Sequence, residues 1–499
     1  MIVHKFGGTS VGDADCFENV AEILVQLGSN GRASERAVTA PGGMEGRAVV
    51  VSAMSGVTDQ LVAGARAAAA GMDSTYCSIK AGLLQRHLEV IQKLLGHSPE
   101  RLELGGLVED RLHDLERLYR SIAVLGELTA RGMDAVASFG EPLSASILAA
   151  LLRNKGVRSQ AVSATELIVT DSQHGGAAPL MLPTRERLRL RLKPMLEQGL
   201  VPVITGYIAA NELGVTTTLG RGGSDYTAAI VGAGLDADEV WIWSDVDGIL
   251  TADPNIVAQA RTVPELSYSE AAELAYYGAD VLHPKTIRPL VEVGIPLRIL
   301  NSFHPQHPGT LIVASPGAER KRQPAILSST GLSMIELGSN DDSWSLPLAA
   351  RALQLLSEAG VDVLLLSQAF SEHSLNLVVR EQNQTHCLHV LQKEFNGRVN
   401  GDARASASHG FLGDGRANGR YHLGVKEKVA TVSVVGFPGW NEHGIVPHVF
   451  AALGKHGTRL IAVAQAGTEY SVSFCIPEEQ VASTVRHLHR ELGLEKELA

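Results

Sequence analysis

The chain opens on a short apolar run, Ile2-Val3-His4-Lys5-Phe6, that stops at Gly7-Gly8-Thr9-Ser10. From Asp13 to Leu27 the apolar residues Phe17, Val20, Ile23, Leu24 and Leu27 recur on one helical face, so the start predicts strand, glycine turn and helix. The stretch from Ser29 to Arg47, rich in Gly, Arg, Pro and Ser, loses this periodicity and predicts a surface loop. It is followed by Ala48-Val49-Val50-Val51-Ser52, a continuous apolar run of the kind buried in parallel sheets. Helical periodicity fills residues 59 to 135, and further buried-type strands are expected at Val201 to Ile204 and Val240 to Trp243. Strands alternating with helices predict an α/β fold with a mostly parallel sheet.

Past about residue 310 the texture changes and an internal repeat appears. Gln368-Ala369-Phe370-Ser371-Glu372-His373-Ser374 aligns with Gln465-Ala466-Gly467-Thr468-Glu469-Tyr470-Ser471 at a shift of 97 residues. The same shift lays the helical stretch Leu348 to Gly360 on Ile445 to Gly457 without a gap. Each copy reads strand (Met334 to Leu337; Thr431 to Val435), helix, strand (Val361 to Leu366; Leu460 to Ala464), strand (Ser374 to Val379; Ser471 to Ile476) and helix. Between the copies, Asn396 to Gly424 is dense in Gly, Arg, Ala, Ser and Asn and predicts an exposed linker.

At roughly 150 residues per domain, 499 residues predict about three units. Lys plus Arg number 43 against 54 for Asp plus Glu, and this balance, with no basic block, argues against a nucleic-acid partner. No apolar run approaches the roughly 18 residues that span a bilayer, and the first residues lack the apolar core of a signal peptide. A cytoplasmic protein without a membrane partner is therefore expected. Cys16, Cys77, Cys387 and Cys475 form no CxxC pair, so no metal site or disulfide framework is predicted, only reduced thiols in apolar surroundings.

Four segments join glycine to charge at the carboxyl ends of predicted strands, where open α/β sheets bind ligands. They are Lys5-Phe6-Gly7-Gly8-Thr9-Ser10, Ser52-Ala53-Met54-Ser55-Gly56-Val57-Thr58, Gly220-Arg221-Gly222-Gly223-Ser224-Asp225 and Ser244-Asp245-Val246-Asp247-Gly248. Glycine lets backbone N–H groups approach an anion, and a helix N-terminus downstream favours negative charge, so phosphate is the natural occupant. Neither G-x-x-x-x-G-K-[ST] nor G-x-G-x-x-G is present, and each segment alone is weak. Lys5 reads either as a solvated strand-end lysine or, given Gly7 and Gly8, as a phosphate contact. Asp225 and Asp245 read as N-caps or as site residues. Arg221, flanked by glycines, suits bidentate grip of a carboxylate but could also be a rim charge. Glu141, in Ser138-Phe139-Gly140-Glu141, could equally be a first-turn helix acid.

Lys5 to Val11, Thr216-Thr217-Thr218-Leu219-Gly220-Arg221-Gly222-Gly223-Ser224-Asp225-Tyr226-Thr227-Ala228 and Val281-Leu282-His283-Pro284 resemble the aspartokinases of the amino acid kinase superfamily, and the tandem repeat resembles their ACT pair. The resemblance implies a three-layer αβα kinase domain over 1–310 and two intertwined ferredoxin-like (βαββαβ) ACT domains, over 311–395 and 425–499, joined by 396–424. Residues 324–330 are a candidate strand of the second ACT domain. The implied reaction is phosphoryl transfer from ATP, with Mg2+, to the β-carboxylate of L-aspartate, the first step toward lysine, threonine and methionine. The resemblance makes Lys5 and Asp225 catalytic and assigns Lys5, Gly7, Gly8, Ser52, Ser244, Asp245, Asp253 and Pro254 to ATP. It assigns Thr58, Glu141, Tyr207, Arg221 and Ser224 to aspartate, with Gln368 and Gln465 contacting a regulatory amino acid.

The regulatory sequence is most similar to that of the bifunctional aspartokinase–homoserine dehydrogenases, which implies threonine ahead of lysine as effector. Two positions depart from the family pattern: its Gly-Ala-Lys lysine is Asp280 here, and an aromatic residue near the nucleotide base is Leu250. They support a second reading, an amino acid sensor with a silent kinase domain. ACT domains cover sheet edges by pairing, so a homodimer or homotetramer is expected.

Overall fold

The computed structural model describes residues 1–29, 46–276, 282–317, 323–339, 345–369, 373–395, 398–399, 421–436, 444–465 and 471–495. Most of the predicted loop from Ser29 to Arg47 and most of the linker 396–424 lie outside them, as do Asp280 and the repeat residues Phe370, Ser371, Glu372 and Gly467. The chain divides into two compact units. The first holds Met1–Ile249, Pro264–Ala275 and the described residues from 282 to 317; the second holds Leu250–Val263 and the described residues from 323 onward. The first unit is thus not the unbroken stretch 1–310, because Leu250–Val263 belongs with the C-terminal residues.

The first unit's strands are β1 (Ile2–Phe6), β2 (Arg47–Val51), β3 (Ser159–Val162), β4 (Val169–Thr170), β5 (Val201–Thr205), β6 (Ile208–Asn211), β7 (Thr216–Thr218), β8 (Glu239–Ser244), β9 (Glu265–Ser267), β10 (Leu297–Asn301) and β11 (Thr310–Val313). Eight of them form one sheet in the order β3-β5-β2-β1-β8-β10-β11-β9, parallel at every step except β10 to β11. Strands β4, β6 and β7 form a separate small sheet. All of β1 is buried, which its apolar run requires at the centre of a sheet covered on both faces. Ile2 and Phe6 enter the core shared with Ala14–Ser29 and the helices between 57 and 154. Lys5 is directed to the other layer, where Met181–Glu197, Gly223–Leu235 and Pro284–Val293 pack together. By length and composition, residues 130–154 could cross a membrane, contrary to expectation, but 72% of their most apolar window is buried inside the protein.

In the second unit, β12 (Ala325–Ser339), β13 (Leu365–Ala369), β14 (Ser374–Arg380), β15 (Arg398–Val399), β16 (Tyr421–Val435), β17 (Ala462–Gln465) and β18 (Ser471–Pro477) form one sheet, ordered β13-β14-β12-β16-β18-β17 with β15 beside β16. Strands β12 and β16 each serve both repeats. Ala325 to Ser329 pairs with Thr431 to Val435, whereas Leu332 to Ser339 lies between β14 and the first half of β16. The change of partner is marked by register shifts around Leu332 and by positive φ at Gly331 and Lys428. Ile335, Leu337, Leu356, Leu377 and Leu391 centre one core, and Ile326, Val432, Leu453, Phe474 and Val485 the other.

Three expectations need correction here. The predicted strands Val361 to Leu366 and Leu460 to Ala464 start later, at Leu365 and Ala462. In the first copy, Val361 N–H still closes the preceding helix onto Leu356 O, 2.9 Å away. Residues 421 to 424 are not linker, because Tyr421, His422, Leu423 and Gly424 pair with Ser339 to Glu336. Cys387 and Cys475 are buried, but Cys77 is exposed.

Candidate active site

The carboxyl ends of β1, β2 and β5 open on a cavity of about 730 Å³ within the first unit. Lys5, on the penultimate residue of β1 and flanked by Val50 and Ile242, extends into it and meets Asp225 at 2.5 Å between Nζ and Oδ1. Of the two readings of Asp225, N-cap or site residue, the capping one is not seen. The N-cap of Gly223–Leu235 is Gly222, at φ 67° and without a side-chain cap, and Asp225 stands in the first helical turn facing the lysine. Helix Val57–Ala69 likewise begins at Gly56, φ 75°, with no side-chain cap. Two helix N-termini with uncapped N–H groups therefore line the same cavity through Gly56, Thr58, Gly222, Gly223 and Ser224, an arrangement that attracts anions.

Space as well as charge explains the Gly7-Gly8 turn. A Cβ on Gly8 would lie 3.1 Å from Ala53 O and 3.5 Å from Ser55 Cα, so the turns after β1 and β2 touch backbone to backbone. Ser55 N–H donates to Gly8 O at 3.1 Å, and Arg86 joins the turns from outside, donating to Ser55 O at 2.9 Å and Gly12 O at 2.8 Å. Gly7 lies beside the lysine, 3.4 Å separating Nζ from where its Cβ would be. Ser52 and Gly8 line the cavity here.

Glu141, also on the cavity wall, stands in the first turn of helix Gly140–Asn154, is 3% exposed, and leaves Oε2 without a partner. Burial pushes its carboxyl up to about 8, against hydrogen bonds from its own N–H and that of Ala53. A buried, half-satisfied carboxylate on a cavity wall calls for a cation. Tyr207, at φ 65°, stands between β5 and β6; burial raises its phenol pKa, and the nearby Glu141 and Asp134 carboxylates add to the rise. Arg221 is exposed on the turn between Gly220 and Gly222 and lines the same cavity as Glu141, together with Thr58, Tyr207 and Ser224.

Asp245 also lines the cavity, and Ser244, at the end of β8, donates to Asp245 Oδ1 at 3.1 Å without itself lining it. Asp253 and Pro254 are not among the lining residues. They lie exposed in the segment Leu250–Val263, whose Ala252 and Val257 are buried with Val432, Val449 and Phe474 of the second unit. Leu250, in the same segment, bridges to Thr262. Gln368 and Gln465 occupy corresponding edge strands of the second unit, paired with Leu375 and Val472; Gln368 is half-buried with Nε2 unpartnered, and Gln465 is exposed. Motif reading missed Gly175, which lines the cavity, and Asp134, which lies behind it. Among the described residues no cluster of His, Cys, Asp and Glu is arranged to hold a metal ion.

Residues 1–301 match the amino acid kinase family, and residues 432–492 match an ACT domain. The fold and the cavity thus define an amino acid kinase with a C-terminal ACT unit. The chain is 30% identical to Aspartokinase 1, chloroplastic, from Arabidopsis thaliana, covering 98% of this chain and 79% of that relative. It is 31% identical to Bifunctional aspartokinase/homoserine dehydrogenase 2, chloroplastic, from the same plant, and spans 51% of that longer protein. The structure of E. coli aspartokinase III in complex with aspartate and ADP (R-state) superposes with TM-score 0.76 at 25% identity over 99% of both chains. The complex of the same enzyme with lysine and aspartate (T-state) gives 0.75 at 26% identity, with the same coverage. The chain belongs to the aspartokinase family and is an aspartate kinase.

Proposed function

We propose that the cavity transfers the γ-phosphoryl group of MgATP to the β-carboxylate of L-aspartate, giving 4-phospho-L-aspartate and ADP, the first step toward lysine, threonine and methionine. The observation that carries this reading is the Lys5–Asp225 pair in one cavity with two helix N-termini that lack side-chain caps and with Glu141 and Arg221. A carboxylate is already a nucleophile, so the site needs no general base; it needs charge neutralisation and alignment of two anions. Lys5 offsets charge on the transferred group, and Asp225 fixes the ammonium in place. Gly7, Gly8 and Ser52 border the phosphates, and Ser244 and Asp245 the nucleotide. The Arg221 guanidinium holds the acceptor's α-carboxylate, Glu141 its ammonium, and Thr58, Tyr207 and Ser224 complete the pocket. The intact Lys5–Asp225 pair argues against a silenced kinase domain.

The effector is proposed to be threonine, bound at the edge strands that carry Gln368 and Gln465, and the chain to work as a homodimer or homotetramer that covers those edges. Lysine is the competing effector, as the lysine complex of E. coli aspartokinase III was solved with that ligand. A coupled ADP-release assay tests both parts. Turnover is expected with L-aspartate and not with N-acetyl-L-aspartate, which lacks the ammonium, and threonine is expected to inhibit. Gln368→Ala should weaken that inhibition, with Gln465→Ala doing so to a different degree, and uninhibited activity should be kept. Inhibition by lysine alone, or indifference to both glutamines, would remove the threonine assignment and leave the kinase standing. ADP release with N-acetyl-L-aspartate at the aspartate rate would remove the role of Glu141.

A further inference from the structure

The residues assigned above line the cavity, border it, or lie at the effector strands. Asp134 does none of these, yet its carboxylate is saturated by groups that shape the acceptor end. It sits on helix Ala130–Ala137 and is 1% exposed. Oδ1 accepts from Thr218 Oγ1 at 2.6 Å and from Gly175 N–H at 3.1 Å, and Oδ2 accepts from His174 Nδ1 at 2.7 Å. His174 and Gly175 form the tip of the loop 171–178. Its base is closed by Asp171 Oδ1, which takes the N–H groups of Gln173 and Ala178, each at 3.1 Å. Ala177 N–H donates to Thr218 O at 2.8 Å, so one strand residue, Thr218, ties both the loop and the carboxylate that clamps it.

The loop tip leans on the arginine turn. A Cβ on Gly220 would lie 3.3 Å from Gly175 O and from Gly176 Cα, while a Cβ on Gly222 would lie 2.6 Å from His283 Cβ. Gly220 and Gly222 have φ of 77° and 67°, so the turn carrying Arg221 runs through two left-handed residues without side chains. Its backbone is braced by what packs on it, the glycine tip on one flank and His283 on the other. Gly175, held by Asp134, also forms part of the cavity wall.

We propose that Asp134 is a positioning residue for the acceptor amino acid: it clamps the tip of the 171–178 loop against the Gly220-Arg221-Gly222 turn and so sets acceptor affinity, not the rate of transfer. This rests on the assignment of Arg221 to the acceptor carboxylate. Asp134→Asn keeps the shape but removes the charge, and because Gly175 N–H lies 3.1 Å from Oδ1 and 3.2 Å from Oδ2, the new amide NH2 meets it donor against donor from either position. The expected result is a rise of about tenfold in aspartate KM, with kcat and ATP KM within about twofold of wild type, the scale of one lost charge-assisted hydrogen bond. His174→Ala, which removes one of the three donors, should raise aspartate KM by less. Gly175→Ala, at φ 85°, should raise it by displacing the tip.

The decisive measurement is a double-mutant cycle. In an Arg221→Ala background, Asp134→Asn should add little to the aspartate KM, because its effect passes through the arginine. Fully additive effects, or a fall in kcat with aspartate KM unchanged, would overturn the proposal. If Asp134→Asn lowers the melting temperature too far for assay, His174→Ala and Gly175→Ala carry the same cycle. If Arg221→Ala alone leaves aspartate KM unchanged, the carboxylate assignment fails instead, a result distinct from additivity.

Discussion

The two ends of the cavity are built by different means. At the proposed phosphate end, β1 itself carries Lys5, the segments after β1 and β2 carry Gly8, Ser52 and Gly56, and backbone touches backbone at Gly8 and Ala53. At the proposed acceptor end, Glu141, Gly175, Tyr207 and Arg221 come from four separated segments, and Gly175 is held by the side chain of Asp134, itself bonded by Thr218. The first end is rigid because it is local, and the second is as precise as its long-range contacts make it. Damage at the phosphate end should appear in kcat, and damage at the acceptor end in KM.

The largest expected effect tests that division most directly. Lys5→Ala should lower kcat by roughly 10²-fold or more, the scale of a lost transition-state donor, and change aspartate KM much less. A variant with near wild-type kcat would remove Lys5 from the chemistry. Next in size, Arg221→Lys keeps the charge but loses the planar fork, so aspartate KM should rise by about tenfold while ATP KM stays constant. If ATP binding collapses instead, the two ends have been assigned the wrong way round.

The Glu141 carboxyl, raised to about 8 by burial, is mostly protonated in the empty site at pH 7 and must ionise to receive an ammonium. Aspartate binding at pH 7 should then release about one proton, read by calorimetry in buffers of different ionisation enthalpy, and Glu141→Gln should abolish the release.

The smallest effects are opposite slopes of stability. Glu141 binds its proton more tightly folded than unfolded, so its contribution is complete below about 4.5 and is lost as pH rises through about 8. His4 lies on β1 next to Lys5. Burial first, and then the charge of Arg47, lower its pKa from 6.5 to about 3, so the folded state keeps it neutral. Its contribution is present above pH 6.5 and is lost as pH falls toward 3, by at most about 1.4 kcal/mol per pH unit. Urea midpoints between pH 5 and 8 should show the acid limb flattened in His4→Gln and the alkaline limb flattened in Glu141→Gln. Unchanged limbs would mean that neither group titrates as its surroundings dictate.

How much of this was legible in the sequence follows the same division. Lys5, Gly7 and Gly8 are contiguous, and a strand ending in paired glycines can be read locally. The Arg221 turn also announced itself through its glycines. Asp134 did not, because its meaning comes from residues 41 and 84 positions away, and on its own helix it is an ordinary polar position. Asp253 and Pro254 closely follow Ser244 and Asp245 in sequence, but the chain enters the other unit at Leu250, a change that nothing local in the sequence marks. In that unit the repeat was readable from its shift of 97 residues. The extent of β16 into the expected linker was not, since Tyr421 to Gly424 become strand through pairing with β12 and not through any apolar run of their own.

The excursion of Leu250–Val263 bears on how the gene can be cut. The segment contributes Ala252 and Val257 to a core made by residues from 326 to 494, yet it is joined at both ends to the first unit. No single stop codon separates the halves. A chain ended near residue 310 would present Ala252, Ile256, Val257 and Ala260 with their cover deleted, and it should aggregate until they are replaced by polar residues. Supplied as two separate polypeptides, the halves carry a ready-made tether: the excised C-terminal piece lacks the strap that completes its core, and the N-terminal piece carries it.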